Sequence, residues 1–373
     1  MSRLSPEPVV PDGMNARLLL VGASSFVRGL PPLPAAAADV RDLAQALTGA
    51  DGLFDPSSLT TLTDPVDAAH VLGPLASYAE LTDPLDLLLF YYAGHGVNDE
   101  AKRLCLALPG TVDLPQAARR TSLPVDDVVA VMGTVRARHR VVILDCCYAG
   151  RALDAPGAAD FHLLLACDRT SKASTDPSGE GTTHFTAELL RRLTEGAPDG
   201  PSHLLLGDLY RGLAEMLPGR SPLGPPRPLQ RAVDLSGDLA LARNPAYGTG
   251  RTVRGLAVRA REAERTGRAG HARRAAELFG LIADDASQVL PPGRELLRYR
   301  RAQAAWTGAA GDPGTAVALL EAVVARLEAG LPEGGRGAGP AGDDDDLRAA
   351  RASLAHWSAR AGAVTPGRAP GPG

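Results

Sequence analysis

The chain has 373 residues, enough for two or three domains and a large buried core. Charged residues make up 22% of it and the net charge is −4, so no global field draws it to nucleic acid or anionic lipid, and neither partner is expected. Its four cysteines, Cys105, Cys146, Cys147 and Cys167, form no Cys-x-x-Cys pair and are too few to staple a fold, which makes a reducing cytoplasm the simplest setting.

The opening stretch, Met1 to Pro6, lacks the apolar core of a signal peptide, and no run approaches the ~18 apolar residues of a membrane span. Residues 1–15 read as a flexible, Pro-rich lead-in. Arg17 to Gly22 is a first strand, followed by a loop, Ala23 to Pro34, whose prolines and glycine argue against regular structure. Within it Gly22-Ala23-Ser24-Ser25 has some likeness to a phosphate loop but lacks both Gly-x-Gly-x-x-Gly and the Lys-Ser/Thr ending, so a nucleotide-binding protein is a minor reading. Ala35 to Leu47 carries Ala36, Val40, Leu43 and Leu47 at helical spacing, with Asp39 and Asp42 near the start. A second strand, Leu59 to Leu62, and a second helix, Val66 to Tyr78, lead to Leu85 to Tyr92, a buried run that ends in Ala93-Gly94-His95-Gly96. A histidine between two glycines is presented on backbone that allows close approach, which packing alone does not require.

Leu104 to Leu108 reads as half of a small hairpin and Leu123 to Arg138 as a helix returning the chain to Val141-Val142-Ile143-Leu144. That uninterrupted aliphatic run is the pattern of a strand buried on both faces of a parallel sheet, and it delivers Asp145-Cys146-Cys147-Tyr148-Ala149-Gly150 to the carboxyl edge, where open α/β folds keep their chemistry. Phe161 to Cys167 is a fifth strand and Asp168 to Thr182 a polar, mobile loop. Helices over about Thr183–Thr194 and Leu206–Leu217 precede a last strand, Leu229 to Val233. The alternation predicts an α/β fold, a mostly parallel sheet with helices on both faces, spanning residues 16–245.

From about Thr249 the composition turns to helix rich in Ala, Arg and Glu. Gly267-Arg268-Ala269-Gly270 recurs ~40 residues on as Gly308-Ala309-Ala310-Gly311, and the Trp306 segment recurs around Trp357 beyond an inserted loop, Gly334 to Gly342. Such recurrence means stacked helical hairpins over residues 249–364, and the stretch resembles the long tetratricopeptide-type repeats of actinobacterial multidomain proteins. Residues 365–373 are rich in Pro and Gly and read as disordered. The tetrad Asp343 to Asp346 lacks the alternating ligands and glycine of an EF-hand loop, so a solvated turn is expected and calcium activation is not indicated. His162, His184, His203 and His356 have no partners at metal spacing; no metal and no cofactor are expected.

The two strand-end motifs, Tyr91 to Gly96 and Asp145 to Gly150, resemble those of the caspase-like cysteine peptidases, the clan of caspases, metacaspases and their bacterial relatives; the second resembles the metacaspase Asp-Ser-Cys-His-Ser-Gly motif. Their separation agrees with the roughly 50-residue interval from histidine to cysteine in caspases. The resemblance implies Cys147 as nucleophile and His95 as general base, since a thiol of ordinary pKa needs a nearby imidazole to form its thiolate. It further implies an oxyanion hole from the Gly96 and Cys147 amides. Asp39 and Asp145 match the metacaspase pocket acids, which implies cleavage of a protein or peptide after a basic residue, Arg ahead of Lys. Ala93 and Ala38 stand where that family often has Ser and Asn, which removes a hydroxyl and an amide from the pocket region.

Each residue has a plainer alternative. Cys147 is otherwise a core thiol, the role expected of Cys105, Cys146 and Cys167; His95 is otherwise a strand-end histidine capped by a carbonyl; Asp39 is otherwise a solvated helix-start acid and Asp145 a loop-bonded one. Arg151, Arg169 and Lys172 are surface charges or, as in some relatives, self-cleavage points. The leading reading is an intracellular peptidase whose repeats recruit a protein partner, with a role in bacterial stress response, defence or regulated cell death by analogy alone. A catalytically silent scaffold acting as an adaptor is the alternative.

Overall fold

The computed structural model describes residues 8–170, 183–217, 226–250, 252–290, 293–329 and 340–363, with side chains in the last segment from 345 to 362. Residues 171–182 of the loop read over Asp168 to Thr182, with Lys172 among them, and the tail 365–373 lie outside the described residues. Two units emerge: Met1–Gly196 with Ser202–Pro245, and Ala197–Pro201 with Ala246–Gly373.

In the first unit the chain runs β1 (Ala16–Gly22), α1 (Ala35–Thr48), β2 (Leu59–Thr63), α2 (Ala68–Ser77), β3 (Leu85–Ala93), β4 (Gly96–Asn98), β5 (Leu104–Leu106), α3 (Pro115–Thr121), β6 (Leu123–Pro124), α4 (Val125–Thr134) and β7 (Ala137–Asp145). It continues through β8 (His162–Leu165), α5 (His184–Glu195), β9 (His203–Leu205), α6 (Leu206–Met216), β10 (Leu229–Arg231) and β11 (Ala240–Arg243). The main sheet has the order β10-β8-β7-β3-β1-β2. Every pairing in it is parallel except β10 with β8. This is the mostly parallel, helix-flanked sheet that the alternation of elements predicts.

Alternation along each strand decides which helices it meets. Leu88, Phe90 and Tyr92 of β3, with Val142 and Leu144 of β7, pack in one core with Val71 and Leu75 of α2 and Val128, Val129 and Met132 of α4. The intervening residues Leu87, Leu89, Tyr91, Val141 and Ile143 are also fully buried, and Tyr91 reaches Thr186 of α5 on the opposite face. With both faces covered, these strands can only be continuous apolar runs.

Several elements differ from the expectation. The single helix predicted over 123–138 is instead β6 and the shorter α4, and β7 begins as early as Ala137. Its first residues, Ala137 to Arg140, lie at the partly exposed end of the strand and so give no apolar signal. In the lead-in, Val9 exchanges backbone hydrogen bonds with Asp238 and Ala240. The amides and hydroxyls of Ser24 and Ser25 are spent on the Asp64 carboxylate, so these four donors are not free to hold a phosphate.

The second unit contains α7 (Val253–Arg268), α8 (Ala272–Val289), α9 (Arg294–Ala309), α10 (Pro313–Glu328) and α11 (Pro340–Ala363). A Cβ on Gly267 of α7 would come within 2.5 Å of the Trp306 ring on α9, and one on Gly308 of α9 within 2.5 Å of the Trp357 ring on α11. The same small-against-large contact therefore recurs one helix pair along. The aspartate tetrad is not a solvated turn. It lies within α11, and the Asp346 carboxylate is held by Arg298 at 3.0 and 3.2 Å. Among the described residues no helix is long and apolar enough to cross a membrane.

Candidate active site

β3 and β7 are adjacent and in register, Ala93 beside Asp145, so His95 and Cys147 each stand two residues beyond a paired position at the same edge. The two loops stay together past the sheet. The Gly94 amide donates to the Asp145 carbonyl at 3.2 Å, and a Cβ on Gly96 would overlap the Cys147 carbonyl oxygen. Glycine is thus required at 96 by close approach to the residue bearing the thiol. Tyr148, immediately after it, adopts φ 60°, a left-handed conformation uncommon for a bulky side chain, and turns the chain sharply away. Cys147 is consequently half-buried, whereas Cys146, on the core side of the strand, is fully buried.

His95 is also half-buried, and its loop is fixed from beneath by Tyr92, whose hydroxyl reaches the Ala107 and His95 carbonyls at 2.7 and 3.0 Å. Its Nε2 lies 2.9 Å from the Pro31 carbonyl, and the Phe26 ring packs against it at 5.0 Å between centroids. Since a carbonyl can only accept, Nε2 carries the proton and Nδ1 is left as the basic atom. The carbonyl cap is what the plainer reading of His95 foresaw; it also fixes the tautomer and ring that a general base needs. Pro31 and Phe26 come from the loop after β1, which has no periodicity from which the sequence could betray them.

Asp39 and Asp145 converge on the other face of the same strand end, next to Tyr91. Asp39 has no exposed surface and Asp145 2%. Thr183, capping α5, donates its amide to Asp39 Oδ2 at 3.4 Å, and its hydroxyl contacts Oδ2 of Asp39 at 3.1 Å and Oδ2 of Asp145. Thr186 adds its amide and hydroxyl to Asp145 Oδ2 at 3.2 and 2.6 Å, and is itself bonded to Tyr91 at 2.7 Å. The remaining oxygen of each acid, Oδ1, is buried with no hydrogen-bond partner among the described residues. Burial, and after it the neighbouring Asp145 carboxylate, push Asp39 from the ordinary 3.8 up to about 8. Burial likewise raises Asp145, against the bonds from Thr183 and Thr186. The solvated reading of Asp39 is thereby overturned.

A model of the caspase domain matches residues 16–217. The chain belongs to the caspase domain family. Two solved structures are similar to this caspase domain protein. One is a protein from Geobacter sulfurreducens, at 18% identity and TM-score 0.44, over 62% of this chain and 98% of that one. The other is caspase-1 from Spodoptera frugiperda, at 12% identity and TM-score 0.43, over 62% of this chain and 92% of that one. No curated protein matches.

The remaining thiols of the caspase domain have the character of core groups. Burial raises Cys105 to about 11 and Cys167 to about 12, and raises Cys146 well above the usual thiol range. Of the basic residues after the thiol, Arg169 is held by Asp154 at 2.8 and 2.9 Å, and Arg151 bonds the Lys102 carbonyl at 3.0 Å. Thr183 and Thr186 are the site residues that sequence reasoning missed. Their signal was local, a threonine preceding an apolar helical run with a second threonine three residues on, but that reads only as a helix cap.

Proposed function

We propose that this caspase domain protein is a cysteine endopeptidase that cuts protein chains after a basic residue, arginine ahead of lysine. The observation that carries the specificity is the buried carboxyl pair, Asp39 with Asp145, the second of them two residues before the thiol, each keeping one oxygen without a partner among the described residues. Burying an acid without a cation is costly unless something supplies the opposite charge. A guanidinium presents a planar fork of donors that matches two carboxylate oxygens, whereas an ammonium is a point charge with fewer directed donors.

In this reading His95 Nδ1 takes the Cys147 proton, and the thiolate adds to the carbonyl carbon after the basic residue. The oxyanion is held by the amides of Gly96 and Cys147. His95 returns the proton to the departing amine, leaving a thioester, and then withdraws a proton from the water that hydrolyses it. The Pro31 carbonyl stabilises the imidazolium formed in between. The helical unit is proposed to carry tetratricopeptide-like repeats that recruit a protein partner, and the setting is proposed to be cytoplasmic, in bacterial defence or regulated cell death.

Fluorogenic peptides ending in Arg and in Asp, offered to the wild type and to Cys147→Ala, test the reading. Release from the Arg peptide that vanishes in Cys147→Ala is expected. Preference for Asp would refute the pocket, and release unaffected by the substitution would refute the nucleophile. Inertness toward both would favour the adaptor role.

A further inference from the structure

The hydrogen bonds between the acids do not add up if both are ionised. Thr183 has one hydroxyl proton, yet its Oγ lies in hydrogen-bonding contact with both Asp39 and Asp145 and also accepts the Thr186 amide at 3.3 Å. Both carboxyl contacts are hydrogen bonds only when one acid carries a proton of its own. Asp145 Oδ2 already accepts the Thr186 amide and hydroxyl, which stabilises its negative form, so the proton belongs on Asp39.

We propose that Thr183 makes the carboxyl pair a proton-loaded selectivity device. In the free chain Asp39 donates to the Thr183 hydroxyl, which donates to Asp145, and an entering guanidinium expels that proton to solvent. The balance is simple. A neutral carboxyl and a guanidinium cation become a carboxylate–guanidinium pair, and one proton passes to the buffer. The inference rests on the pocket reading above and assigns to Thr183 a positioning role that neither strand-end motif contains. It also supplies a hydroxyl to the pocket region where Ala93 has none. The raised position of Asp39 agrees with a proton held near neutrality. The other titratable groups facing the pair are Tyr91 from β3, Asp42 from α1 and His184 from α5.

Below the pH at which the free pair loses its proton, cation affinity then falls by up to about tenfold per pH unit. Titration calorimetry of the full chain with agmatine, a guanidinium without a carboxylate, repeated at pH 7 in buffers of different ionisation heat, counts the proton directly. About one proton per agmatine is expected from the wild type. The same count in His184→Gln assigns it to the carboxyls, and its loss there would assign it to the imidazole instead and overturn the proposal. Asp39→Asn, isosteric with the protonated acid, should release none. Because the Thr183 hydroxyl accepts from protonated Asp39 in the free pair, Thr183→Val should shift half-maximal release to lower pH, while Thr183→Ser restores the wild-type profile. Agmatine binding without proton release, or an identical pH profile in Thr183→Val, overturns the proposal. Failure of the wild type to bind agmatine, together with no cleavage after Arg, removes the pocket reading itself.

Discussion

Helix α5 passes two buried acidic environments that the protein treats in opposite ways. At its start, Asp39 and Asp145 are neutralised by no Arg or Lys among the described residues, only by the hydroxyls and amides of Thr183 and Thr186. One turn further on, Glu188 is 9% exposed and held by Arg191 at 2.6 and 2.8 Å and by Arg192 at 2.9 Å. Burial works against the Glu188 carboxylate, but the two guanidiniums outweigh it and its pKa falls, whereas Asp39 and Asp145 rise. A chain with arginines this close to hand could have paired the first site as it paired the second. That it supplies neutral donors there instead is the physical case for a cation arriving with the substrate.

The comparison has catalytic meaning only if a working thiol stands beside the unpaired acids. Cys147→Ala should therefore lower kcat at least about a thousandfold on an Arg-ended peptide. Next in size, Asp145→Asn should reduce kcat/KM for that peptide roughly a hundredfold, the scale of removing one partner from a desolvated charge pair, with the larger share in KM. Equal loss on a peptide without a basic residue would break the contrast between the two sites.

Stability sharpens it from the other side. Asp39 is neutral in the fold up to about 8 but ionises near 3.8 in the ordinary range, so the wild type loses stability relative to Asp39→Asn as pH rises between those values and not beyond. Asp39→Asn is expected to gain on the order of a few kcal/mol in urea unfolding at pH 8 and nothing near pH 4. Glu188→Gln should move the opposite way, costing about 1 kcal/mol at pH 7 because the Arg191 side chain is partly exposed, and should leave kcat/KM within about twofold.

What the sequence discloses here follows from how locally each feature is encoded. Val141 to Leu144 and Leu85 to Tyr92 announce buried parallel strands because both faces are apolar, and the strand ends bring His95 and Cys147 to one edge without further information. The acid pair is half legible: a residue-by-residue resemblance points to Asp39 and Asp145, but their burial depends on α5 folding over them from some 40 positions beyond Asp145. Pro31, Phe26 and Thr183 lie in or beside irregular segments where no period marks a function. Asp346 shows the same limit, since within an acidic run it looks solvated until Arg298 of another helix is placed against it.

The central claim is that Cys147 breaks a peptide bond whose preceding side chain is a cation held by Asp39 and Asp145. Digestion of an unbiased peptide library, with the new termini read by mass spectrometry, tests it most directly. The account predicts fragments ending in Arg, fewer in Lys, and none with Cys147→Ala; fragments ending in Asp, or an unchanged pattern with that substitution, would contradict it.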